Sequence, residues 1–144
     1  MLPEKILLAA DGSEDSKLAL RMATSMAGGL GSELHVVYVA IVSPWVLGGK
    51  LSDTEYDRLR REQQGFLDSL VEEIKGMGGE LAGSHFRVGK RADDEIIQLS
   101  EELDVDLIVV GSKGQSTIAR ALMGSDSESI VRHSRHPVLV VRDG

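Results

Sequence analysis

The chain has no cysteine among its 144 residues, which excludes disulfides and thiolate metal sites. A cysteine-free chain also suits a reducing compartment. Aromatic residues make up only 3%, too few for a platform that stacks nucleic-acid bases. Positive charge is the minority: 16 Lys and Arg stand against 23 Asp and Glu, for a net charge of -7. Non-specific nucleic-acid binding rests on neutralising phosphates, so this balance argues against DNA or RNA as the main partner. No apolar run approaches the roughly 18 residues of a membrane span. The start, MLPEKILLAADGS, lacks the basic leader, long apolar core and small-residue cleavage site of a secretory signal. The expectation is a soluble, cytoplasmic chain forming a single domain over residues 1–144.

What the chain does have is short aliphatic runs alternating with helical patterns. KILLAA (Lys5–Ala10) reads as a strand buried on both faces. It ends in DGS, where Ser13 suits a helix N-cap with Glu14 and Asp15 in the first turn. Leu18, Ala19, Met22, Ala23, Met26 and Ala27 recur at helical spacing, and the glycines of Gly28–Gly31 predict the stop. Glu33–Ile41 is a second strand, and Ser43–Leu51 reads as a loop. A long helix over about Ser52–Gly76 carries Leu59, Phe66, Leu67, Leu70, Val71 and Ile74 on one side. Leu81–Val88 is a weaker strand, Asp93–Leu103 a helix, Leu107–Val110 a strand, Ser125–Ser134 a helix and Pro137–Val141 a last strand. Continuous aliphatic strands alternating with helices predict an α/β fold, a doubly wound parallel sheet with helices on both faces.

The densest chemistry lies in GSKGQSTIARALMGSDSES, Gly111 to Ser129, directly after the fourth strand. Ligands of open α/β sheets bind beyond the carboxyl ends of the strands, where strand order reverses. The spacing is Gly111, two residues, Gly114, nine residues, then Gly124 and Ser125. Glycines let the backbone turn tightly and approach a ligand. The start of the last helix, with the hydroxyls of Ser125 and Ser127, is a ready anion site. Ser112 and Lys113 lie in the same loop, and Asp11, after the first strand, can accept hydrogen bonds from a ribose. Together these residues predict a phosphate cradle for a nucleotide. Neither G-x4-G-K-[ST] nor G-x-G-x-x-G occurs.

The full G-x2-G-x9-G-[ST] spacing, with ADGSEDS after the first strand, LHVV in the second and HPVLVVR near the end, resembles the universal stress protein family, nucleotide-binding branch. The resemblance covers essentially the whole chain. It implies a five-stranded sheet in the order 3-2-1-4-5, a regulatory stress-response role and ATP as ligand. It also implies a homodimer paired through the last strand, near Val138–Val141. By position, it puts Ala9 and Ala10 beside the adenosine, Asp11 on the ribose and the Val36 backbone at the adenine edge. Val110 and Gly111 line the ribose and first phosphate, and Gly114, Gly124, Ser125 and Ser127 hold the phosphates.

One position departs from the pattern. The residue after the final Gly-Ser is usually small and aliphatic, and here it is Asp126. A carboxylate there repels a triphosphate unless it points away or shares a Mg²⁺ ion, so AMP and cyclic AMP stand as alternatives. Asp126 is the one candidate metal contact, through Mg²⁺, and Lys113 offsets part of its charge.

The other readings are weaker. Asp11 serves equally as a local turn former. His133 and His136 lack a third ligand, and His35 and His85 read as structural. Asp93, Asp94 and Glu95 read as a first-turn charge cluster. A slow ATPase or phosphoryl-transfer enzyme lacks an evident general base, and only Arg120 is at hand as a phosphate-reaching arginine. A nucleotidyl-transfer loop needs a double glycine that DGSEDS does not have. A phosphoacceptor receiver domain needs acidic and lysine positions that RVGK and RDG do not supply.

Overall fold

The computed structural model describes residues 2–42, 51–113 and 125–142. Its elements run β1 (Lys5–Ala9), α1 (Glu14–Leu30), β2 (Glu33–Ile41), α2 (Asp53–Gly76), β3 (Gly83–Gly89), α3 (Ala92–Leu103), β4 (Leu107–Gly111), α4 (Ser125–His133) and β5 (Val138–Val141). The strands form one parallel sheet in the order β3-β2-β1-β4-β5. The expected doubly wound order is therefore present. β1 sits centrally, with Leu8 registered against Val36 on one side and Val109 on the other.

Two apolar layers sandwich the sheet. One holds Ile6, Leu8, Val36 and Val109 against Leu20 and Ala23 of α1 and Leu67, Leu70 and Ile74 of α2. The other holds Leu7, Val37, Ile108 and Val110 against Ile96 and Leu99 of α3 and Ile130 of α4. Strands covered on both faces need apolar residues at successive positions, which is why their runs do not alternate. Each fully buried Leu or Ile contributes roughly 1.5–3 kcal/mol.

Local signals set the element ends. Ser13 caps α1 by accepting the Ser16 N–H at 3.3 Å, and Ser52 caps α2 through the Glu55 N–H at 3.2 Å. α1 runs past Gly28 and Gly29 and ends at Gly31, whose φ of 70° makes the left-handed cap. The helix thus stops within the glycine cluster, as expected. β3 begins at Gly83 rather than Leu81, registered against His35. Phe66 lies off the buried stripe of α2, is 55% exposed and stacks on Tyr38 at 5.6 Å. No helix among the described residues is long and apolar enough to cross a membrane.

Candidate functional site

The order of the sheet reverses at β1, so its neighbours β2 and β4 leave it by different routes. At their carboxyl ends lies a cleft enclosing about 540 Å³, part of it open to solvent. Ala9, Ala10 and Asp11 line it from β1, Val110, Gly111 and Lys113 from β4, Val37 and Val39 from β2. Ala92 and Ile96 of α3, Ser16 of α1 and Asp126, Ser127 and Ile130 of α4 complete the wall.

The turn from β1 into α1 is held by its own polar groups. The Asp11 carboxylate accepts the Ser13 N–H at 3.0 Å, an Asx turn, and Gly12 takes a φ of 85° that favours glycine. Ser16 Oγ accepts the N–H groups of Asp11 and Gly12 at 3.2 and 3.0 Å. Ser13 Oγ donates to the Lys113 carbonyl at 3.2 Å and so ties this turn to the loop after β4. Asp11 thus both forms a turn and lines the cleft.

Gly111 serves packing more than its place in the motif suggests. A Cβ on it would lie 2.7 Å from the Asp15 carbonyl carbon and 2.7 Å from the Ser16 nitrogen. Its missing side chain therefore makes room for the first turn of α1, which stands against the end of β4. Ser112 belongs to the same joint. It is 1% exposed, its hydroxyl donates to the Asp15 carboxylate, and its carbonyl accepts from Ser127 Oγ at 2.7 Å.

α3 and α4 bring their first turns together on the far wall. Asp93 is sealed from solvent at 1% exposure. It takes a two-pronged bond from Arg91, at 3.1 and 2.9 Å, and accepts from Ser129 Oγ at 2.5 Å. Burial pushes its pKa up, but the guanidinium, the Ser129 hydroxyl and the Asp94 N–H outweigh that and hold it below the usual value. Asp126, in the first turn of α4, stands near Asp93. Its side chain remains open to solvent at the cleft, yet its pKa is raised. Partial desolvation by the surrounding wall is the main cause, followed by the charge of Asp93, with Asp11 adding a smaller push.

Of the residues expected at the site, the fold brings Ala9, Ala10, Asp11, Val110, Gly111, Lys113, Asp126 and Ser127 to one cleft. The side chain of Val36, whose backbone is expected at the adenine edge, packs in the core on the α1 and α2 side, and the side chains of Val37 and Val39 line the cleft from β2. Ser112 is walled in behind the cleft, and Ser125 is an exposed first residue of α4. Gly114 and Gly124 lie outside the described residues. Sequence reasoning missed Ser16, Val37, Val39, Ala92, Ile96 and Ile130. The pair Ala92 and Ile96, four apart after β3, was the available signal for a helix face turned to the cleft. No group of three metal-ligating side chains occurs among the described residues.

A sequence model of the universal stress protein family matches residues 3–142. The chain belongs to that family. It is 34% identical over 146 residues to a universal stress protein of Bacillus subtilis, covering 96% of this chain and 98% of the relative. It is 31% identical over 142 residues to one of Methanocaldococcus jannaschii, covering 98% of this chain and 83% of the relative. A universal stress protein from Archaeoglobus fulgidus, solved in complex with dAMP, superimposes with a TM-score of 0.69 at 25% identity. That match covers 99% of this chain and 100% of the other.

Proposed function

We propose that this universal stress protein is a regulatory module that binds an adenine nucleotide, ATP by the glycine motif, in the cleft between β1 and β4. The observation that carries the reading is convergence. Asp11, Val110, Gly111 and Ser127, spread over more than a hundred residues of sequence, line one cleft at the strand-order reversal. Val37, Val39 and Ile96 offer an apolar wall for a base, and Asp11 offers acceptors for ribose hydroxyls. The start of α4 offers donors to phosphate. The motif glycines, Gly114 and Gly124, would bring further backbone N–H groups to it. The dAMP complex of the Archaeoglobus fulgidus relative is in keeping with an adenine ligand. A Mg²⁺ ion would arrive with the phosphates.

Calorimetric titration of the nucleotide-stripped chain is expected to give saturable binding of an adenine nucleotide. Gly114→Asp combined with Gly124→Val should abolish it while leaving the circular dichroism spectrum and melting transition in place. Unchanged affinity in that variant would overturn the site assignment.

A homodimer through β5 is part of the same proposal. β5 is an edge strand, and Val138, Leu139 and Val140 are only half-buried in the single chain. An edge of this kind suits pairing with a second copy. Light scattering should return twice the 15.5 kDa of one chain, and a mass of one chain at micromolar concentration would exclude the dimer.

A further inference from the structure

We propose that Asp126 makes this cleft a charge filter: it favours adenine nucleotides with one phosphate, and it admits a triphosphate tightly only when a divalent cation lies between the phosphates and this carboxylate. The inference rests on the adenine-nucleotide reading above and adds which member of that class the site prefers.

Three observations carry it. The first is the balance of charge. Among the described residues lining the cleft, the charged side chains are Asp11, Asp126 and Lys113, two carboxylates to one ammonium. A site for a free triphosphate needs the opposite balance, because the extra phosphates add negative charge that water must otherwise screen. The second is position. Asp126 and Glu128 occupy the first turn of α4, where the helix dipole would favour a phosphate. The chain places its own anions there, so part of that field is already engaged.

The third is the neighbouring charge. Asp126 lies near Asp93 of α3, and the two carboxylates repel. The nearby cation is shared: Arg91 makes its two-pronged bond to Asp93 and a looser contact to Asp94 at 3.9 Å, and offsets the charge of Asp126 only in part. Asp93 is in turn fixed by Ser129 from α4.

The test is the ratio of ATP to AMP affinity, measured calorimetrically in wild type, Asp126→Asn and Asp126→Val, with EDTA and with Mg²⁺. In EDTA, wild type should bind AMP more tightly than ATP. Both variants should shift the ratio toward ATP by about tenfold, the size expected for one carboxylate beside a multiply charged tail. Mg²⁺ should tighten ATP binding in wild type more than in either variant. Saturable binding with a ratio unchanged within about twofold in both variants overturns the charge filter alone. No binding of AMP or ATP by the wild-type chain overturns the adenine-nucleotide reading and the filter together. Thermal melts of each variant, run beside the titrations, show that the chain compared is folded.

Discussion

The two ends of α1 use glycine in opposite ways. At its start, α1 presses its backbone against Gly111 of β4, so closely that a methyl group there would meet Asp15 and Ser16 at 2.7 Å. At its finish, Gly28 and Gly29 sit in the last helical turn, and a Cβ on either would meet nothing within 4 Å. The first glycine is demanded by packing, and the other two leave slack. The difference follows the function of the two ends. The start of α1 must lie flush on β4 so that the turn after β1 and the loop after β4 can meet, through Ser13 Oγ and the Lys113 carbonyl, at the edge of the cleft. The finish of α1 borders no part of that cleft.

Replacing one residue type at both ends tests this contrast. Gly111→Ala should show the largest effect, a loss of roughly 2–4 kcal/mol in urea unfolding, because backbone rather than a side-chain tip must retreat. Gly28→Ala should act in the other direction, a gain of about 0.5–1 kcal/mol, since alanine favours the helix and narrows the unfolded ensemble. If both substitutions changed stability with the same sign, the contrast would be lost.

The two ends also differ in how readable they were. The order of elements follows from runs and caps that are local: KILLAA, Ser13, Ser52 and LIVV each announce their own structure. The cleft was half legible, because residues next to the ends of β1 and β4 must face the strand-order reversal whatever the packing. Which face of β2 turns its side chains to the cleft was not. When both faces of a strand are buried, apolar residues occupy both parities, and the period that would assign a face disappears. Only α2 above β2 and α3 below it settle which valine looks at the cleft.

Asp93 was illegible for another reason. In the sequence it belongs to a first-turn acidic cluster, Asp93, Asp94 and Glu95, of the kind that usually sits in solvent. In the fold it is sealed by Arg91 and by Ser129, 36 residues away. That contact exists only because α3 and α4 pack side by side on one face of the sheet. The same packing brings the Asp126 carboxylate near that of Asp93. A carboxylate that looked like a lone departure from a motif is thus part of a joint between two helices.

The smallest effect concerns the amino-terminal part of the sheet, remote from the cleft. His35 of β2 and His85 of β3 stack with ring centroids 5.3 Å apart, and His35 Nδ1 lies 3.0 Å from His85 Nε2. Gly83 makes room for the pair, since a Cβ there would meet His35 Nδ1 at 2.8 Å. One ring nitrogen must donate and the other accept, so the arrangement requires at least one neutral imidazole. Both pKa values are lowered from the usual 6.5, chiefly by burial. Lys5 adds to the effect at His35, while His35 and Arg87 add to it at His85; Glu33 and Glu102 oppose it. The folded chain therefore binds fewer protons than the unfolded chain below 6.5. Stability from this pair is present above that value and is lost as pH falls from it through the folded values. Melting followed from about pH 7.5 to about pH 5 should decline by a few degrees. His85→Gln, which keeps a donor for His35 Nδ1 and removes one titrating ring, should flatten the decline. An unaltered slope in that variant would assign the acid sensitivity to other groups and leave the histidines as packing alone.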